Sequence, residues 1–449
     1  MLHIYAATTP EPKPKTRGWP FGGSTSATDD YDPHEHRVVE KPTTYGETMT
    51  HMVKGCVGAG LLAMPNAMYR MGLIIGVLGV AFLGMFATYC IQILVLGQYA
   101  ICKKNKVGYL SYPKSMKLAL ESGPPVLRWS ANIFAVAVDV LLFGWQIGVC
   151  SVFLVFVAEN LRQFIEFCGG GVMPVRIVIL SLYPILVTAC LIKDLKKLAP
   201  LSTFSNGCNA FGLVLIFFYL VQDDIVIKES MFEMKSFYDI PVYIGIVLYA
   251  LEAVGVILAL ESNMEKPKEF TGVFGLFSIG MTIIVILYTI LGVFGYMKYG
   301  DDIKASITLN LPQDEKKAHA AKLLFAATIL TSYPLQNFVA WQILWPIMQK
   351  KYPSSTVDYG IRVLCASIPF AMAVAAPTLG PIIGLVGSLC LSTAAIMFPA
   401  VLDICVLYPD KYGPGSYKLL SDIMIILLGG FCCFSGVYTS MLEIVETLS

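Results

Sequence analysis

Few side chains in this sequence could do chemistry, and those that could stand in apolar surroundings. Glu252 lies in Tyr249-Ala250-Leu251-Glu252-Ala253-Val254-Gly255, within residues 240–260 that are otherwise uncharged. An acid at the centre of a membrane span costs about 2.5–3.5 kcal/mol on insertion scales, so it needs a partner, a proton or a task. It is either a proton carrier and ammonium partner or one half of a structural pair. His51 is the second candidate, because His3, His34 and His36 fall in the polar N-terminal stretch and His319 near a boundary. An imidazole with an unperturbed pKa of about 6.5 suits a proton switch, although a histidine near a helix end also serves as an ordinary hydrogen-bonding group. Thr331 and Ser332 form a hydroxyl pair that could hold sodium or could simply back-bond to the preceding turn.

The third feature is backbone. Gly55-Cys56-Val57-Gly58-Ala59-Gly60 has three glycines in six residues. Each costs about 1 kcal/mol of helix propensity relative to alanine. Such a stretch either packs closely against another helix or unwinds. If it unwinds, the N–H groups of Gly58, Ala59 and Gly60 can receive a carboxylate, and the carbonyls of Tyr249, Ala250 and Glu252 can face an ammonium. Glycine at 55, 58 and 60, with Cys56 between them, would let the ligand approach the backbone. A zwitterion satisfies both ends.

The elements that must position these residues follow from charge. The chain has 449 residues, 56% hydrophobic and 14% charged, with a net charge of +1. There is no basic field for a nucleic acid, and the shortage of charge excludes an ordinary soluble globule. Charge-free runs cover Met71 to Cys102, Leu198 to Gln222, Phe270 to Met297, Leu323 to Gln349 and Val363 to Leu402. A span needs about 20 apolar residues. The last run has 40 residues and must be two helices, broken at Pro377-Thr378-Leu379-Gly380-Pro381. The expected fold is therefore an all-α multi-pass membrane protein with about eleven transmembrane helices. These lie at about 48–70, 72–101, 130–158, 173–192, 200–221, 241–262, 271–297, 320–348, 358–376, 380–406 and 419–446. Weak helix in the first and sixth spans, five apart, points to a 5+5 inverted repeat with discontinuous helices 1 and 6, helix 11 being an addition. With the N-terminus cytoplasmic, 21 of the 32 Lys and Arg fall inside and 10 outside, Lys54 lying within a span.

Residues 1–46 contain six prolines and no apolar core. They read as a disordered cytoplasmic tail, open to a cytoplasmic partner, ahead of a transmembrane domain over 47–449. Lys54 is expected to pair with an acid or reach the inner interface, and Asp139 to pair or take part in coupling. Glu261, Asp403, Glu443 and Glu446 sit near span ends, where solvated or capping roles are expected. Of 12 cysteines, only Cys168 falls in an outside loop, so the cysteines read as packing rather than disulfides. No Walker loop, metal-ligand spacing or Asn-x-Ser/Thr site is present, which removes support for ATP-driven, metalloenzyme or other enzyme readings. A channel lacks its charged ring or filter repeat.

Three blocks together resemble a known family. They are His51-x-x-Lys54-Gly55-x-x-Gly58-x-Gly60-Leu61-Leu62-x-x-Pro65, then Glu252-x-x-Gly255 with Leu260-Glu261-x-x-Met264-x-x-Pro267, and Ser306-Ile307-Thr308-Leu309-Asn310-Leu311-Pro312. From about residue 47 to the C-terminus the chain resembles the proton-coupled amino acid transporters of the amino acid/auxin permease group. The resemblance implies symport of small neutral amino acids such as glycine, alanine and proline with protons by alternating access. No cofactor beyond the coupling proton is implied, and sodium is not the expected ion. It suggests proton coupling for His51 and a central-site role for Glu252. It also implies a plasma or lysosomal membrane address with the N-terminus cytoplasmic, and it brings in the alternatives of a proton-independent facilitator or a lysosomal amino acid sensor. Cys56 and Ala59 stand where the family often has asparagine and threonine, and Gln313-Asp314-Glu315 follows the third block where relatives often carry a cysteine. A disulfide from Cys168 to that loop cannot form.

Overall fold

The computed structural model describes residues 31–37, 39, 41–192, 199–222, 227–251 and 254–448. The helices are α1 (Tyr45–Cys56), α2 (Ala59–Met71), α3 (Leu73–Asn105), α4 (Tyr112–Ser122), α5 (Ala131–Phe167), α6 (Val175–Cys190) and α7 (Ala199–Val221). They continue as α8 (Asp239–Ala250), α9 (Val254–Asn263), α10 (Leu276–Tyr299), α11 (Lys316–Gln349), α12 (Ser355–Ala375), α13 (Leu379–Leu407) and α14 (Tyr417–Leu448). Among the described residues seven helices are long and apolar enough to cross a bilayer, among them α3, α5, α10 and α11, with shorter apolar helices in α6, α7 and α8. Among the described residues no strand forms, and the pairing of Thr43 with Met264 is an isolated bridge. The molecule is a multi-pass helical membrane protein.

The first and sixth spans are each made of two helices. α1 stops at Cys56, Val57 and Gly58 are extended (φ −81°, ψ 95° and φ −159°, ψ −152°), and α2 starts at Ala59. α8 ends at Ala250, and α9 begins at Val254. The expected break after Ala375 is also present, with α13 beginning at Leu379. Inside α13, Gly387–Met397 winds as π-helix, and the Tyr112 hydroxyl of α4 donates to the Ala394 carbonyl there at 2.8 Å. α4 escaped the charge-gap reading because Lys114, Lys117 and Glu121 interrupt it, yet it buries Tyr112, Ser115, Met116, Ala119 and Leu120 at helical spacing.

The expectation for residues 1–46 changes where the structure describes them. Asp32 caps a short 3₁₀ turn at Pro33–His36. The Arg37 guanidinium then donates to the Gly108 carbonyl at 3.1 Å and to the Glu261 carboxylate at 2.9 Å. Lys268 pairs with Asp32 at 2.7 Å, and His34 stacks on Tyr99 with ring centroids 4.6 Å apart. Thr43 N–H donates to the Asn263 carbonyl, and Glu265 N–H to the Thr43 carbonyl, each at 2.9 Å. The described residues between 31 and 43 thus form a strap across one end of the bundle. Glu261 is a correction, being 5% exposed and paired with Arg37 rather than solvated. At the opposite end Arg70 of α2 meets Asp239 of α8 and Glu443 of α14, both at 2.6 Å, so Glu443 is a bridging group as well. None of the twelve cysteines is in a disulfide.

Candidate functional site

The two broken helices meet at their breaks. A Cβ placed on Gly60 would lie 2.6 Å from the Ala250 Cα, so the start of α2 and the end of α8 touch backbone to backbone. Only glycine permits that approach. Gly58 differs, because a Cβ there meets nothing within 4 Å among the described residues. Close packing and unwinding, posed as alternatives for this segment, are both present two residues apart.

The first N–H groups of α2 have no partner within their own helix, since α2 has no side-chain cap at Gly58. The carbonyls at the ends of α1 and α8 are turned toward one side chain. The Tyr288 hydroxyl of α10, fully buried, lies 2.5 Å from the Cys56 carbonyl and 2.7 Å from the Ala250 carbonyl. One hydroxyl proton is shared between two carbonyls, which ties the two breaks together. The third exposed carbonyl, that of Val57, accepts from Asn209 Nδ2 of α7 at 2.8 Å. Trp145 of α5 packs on the Tyr249 ring at 5.3 Å between centroids, both nearly buried, and forms an aromatic wall. Positive helix end and negative helix ends therefore stand together in one region, the arrangement suited to a zwitterion.

The structure brings Cys56, Gly58, Ala59, Gly60, Tyr249 and Ala250 to this region. Cys56 and Ala59 are buried, Gly58 is half-buried and Gly55 is exposed on α1. Glu252 lies outside the described residues, together with Ala253. His51 is half-buried five residues before Cys56, about 7 Å along α1 and one turn after Glu47, so it stands beside the break rather than in it. Thr331 and Ser332 are committed elsewhere: both hydroxyls donate to the Thr328 carbonyl, and Thr331 also meets Ser205 at 2.8 Å. Lys54 is exposed and Asp139 half-buried. Tyr288, Asn209 and Trp145 were missed from sequence, where an isolated tyrosine, asparagine or tryptophan in a span carries no distinguishing spacing.

This geometry sits in a chain whose residues 41–442 match the family model described as transmembrane amino acid transporter protein. The chain belongs to that family. It is 32% identical over 428 residues to the proton-coupled amino acid transporter-like protein pathetic of Drosophila melanogaster, covering 94% of this chain and 90% of that protein. It is 25% identical over 434 residues to a Caenorhabditis elegans protein described as "Probable amino acid transporter skat-1", covering 92% and 94%. The chain is thus an amino acid transporter by family, not an enzyme.

Proposed function

We propose that this transporter moves small neutral amino acids of the glycine, alanine and proline class, together with protons, by alternating access around the paired breaks. One observation carries the reading: the N-terminus of α2, which no described side chain caps, and the carbonyl ends of α1 and α8 converge, held by Tyr288. The α-carboxylate sits at Gly58, Ala59 and Gly60, and the ammonium near the Tyr249 and Ala250 end. Gly60 packed on Ala250 and Trp145 on Tyr249 leave little room for a large side chain, which favours small substrates. Glu252 and His51 are the proposed proton groups. The name of the fly relative supports proton coupling. The Lys and Arg distribution supports a cytoplasmic N-terminus, which places the strap on the inside and the Arg70 cluster on the outside.

Purified protein in liposomes, acid outside, should take up labelled alanine or proline, and a protonophore should abolish accumulation. Equal exchange with no gradient would replace symport by facilitation. Binding without flux would indicate a sensor, and a response to a sodium gradient alone would restore sodium. Glu252→Gln should remove the pH dependence while preserving exchange, and persistence of that dependence would discard the assignment.

A further inference from the structure

A cavity of about 380 Å³, in the size range of small-molecule sites, opens at the Arg70 end between α2, α5, α13 and α14. It is separate from the breaks. Trp145 marks the level of the breaks on α5, and Glu159, which lines the cavity, is fourteen residues further on, about 21 Å along the helix.

The cavity walls carry opposite electrostatics. Arg70 is already shared between Asp239 and Glu443. Glu159 and Glu446 add further carboxylates to the wall, and the buried Glu159 Oε2 has no hydrogen-bond partner among the described residues. A buried carboxylate oxygen without a donor is costly, so this wall calls for a cationic donor. Facing it is the first turn of α13, where Thr378, Leu379, Gly380 and Pro381 line the same cavity. Pro381 has no N–H, but Leu379 and Gly380 do, and the N-terminal end of a long helix favours an anion. The Thr378 hydroxyl is also buried and, among the described residues, without a partner, and it makes no cap on its own helix. Glu159 and Thr378 are thus two orphaned groups of complementary demand in one cavity. A lone cation would answer the first and leave the second. A lone anion would meet the excess of carboxylates.

We propose that this cavity is a second amino acid site, with the ligand ammonium on Glu159 and its carboxylate on Thr378 and the N–H groups of Leu379 and Gly380. It stages substrate between the outside and the breaks. This rests on the amino acid transport proposed above, and the two are separable by experiment. Equilibrium dialysis of labelled alanine against the full-length protein in nanodiscs should give two bound per chain. Glu159→Gln and Thr378→Val should each give one, and so should Gly58→Phe, which fills the open space at the first break. Thr378→Val is isosteric, so it reports on the site if Glu159→Gln fails to give a monodisperse protein. One alanine per wild-type chain with normal flux would overturn the second site alone. Two bound in both outer variants would overturn it as well, as would labelled sodium that binds without alanine and is lost in Glu159→Gln. Neither binding nor flux of any amino acid would bring down the transport reading with it.

Discussion

Gly58 and Gly60 stand two residues apart and answer to different forces. Gly60 has the Ala250 backbone where a side chain would go, so Gly60→Ala must push α2 from α8. Overpacking of this kind costs about 1–3 kcal/mol, and the variant should lose thermal stability before any question of transport arises. Gly58 faces open space, so Gly58→Ala should keep its melting point and change only substrate affinity or maximal uptake. A stable Gly60→Ala, or a Gly58→Ala indistinguishable from wild type in uptake, would contradict this division. Tyr288→Phe keeps the ring and removes the proton shared by Cys56 and Ala250. Leaving a buried carbonyl without its donor costs about 1–3 kcal/mol, and we expect a tenfold or greater loss of maximal uptake, read against surface expression. Sequence showed the glycines as a class but not their division of labour. That depends on what lies opposite each one, and Ala250 is 190 residues from Gly60 along the chain.

Elements were legible to the extent that their signal is local. Charge gaps and proline-glycine punctuation gave the spans and the α12–α13 break, because a bilayer imposes the same length on every helix. The strap was not legible, since residues 31–43 read as polar and proline-bearing and the described part is docked by distant partners such as Gly108 and Glu261. Its chemistry makes it sensitive to acid. Burial, reinforced by Arg37 and Lys268 and only partly countered by Asp32, lowers the His34 pKa to about 4. The Glu261 carboxylate stands 4.0 Å away but is committed to Arg37. Docked His34 is therefore neutral while the released imidazole titrates near 6.5, so docking is at full strength above that pH and weakens as pH falls from about 6.5 to about 4. Asp32 acts differently, because Lys268 holds its carboxyl below the usual range and keeps that ion pair charged through the same window. Proteolysis or hydrogen exchange of residues 31–43 should accelerate between pH 6.5 and 4.5, and His34→Phe should remove that dependence. A strap equally protected at both pH values would refute it.

At the scale of the whole molecule, the four half-helices are pinned in pairs at opposite ends. Arg70 joins the far ends of α2 and α8 and ties both to α14. The strap joins the start of α1 to the end of α9 through the Thr43 backbone pairing and, with Arg37 on Glu261, fixes the same end a second time. The alternating access proposed above requires that one of these closures open while the other holds, because opening both would connect the two aqueous sides past the breaks. Each closure contains an ion pair, Arg70 with Asp239 and Glu443 at one end and Arg37 with Glu261 at the other, the kind of contact a bistable element exchanges. A cysteine at Gly58, where the space is open, would report which one is released. In a Gly58→Cys background, Glu443→Gln removes the tie to α14 but leaves Arg70 its Asp239 partner, and it should raise labelling by a membrane-impermeant maleimide from the outside several-fold. Arg37→Gln should raise labelling from the strap side instead. The Glu261→Gln companion change should bring the Arg37→Gln protein back toward wild-type stability, since it removes the buried carboxylate that the first change strands. Combining the outer and inner changes should raise labelling from both sides and collapse the gradient-driven accumulation of alanine while leaving its exchange intact. If either single change raised labelling equally from both sides, the two pins would not be alternating closures, and the opposed placement of Arg70 and Arg37 would be structural only.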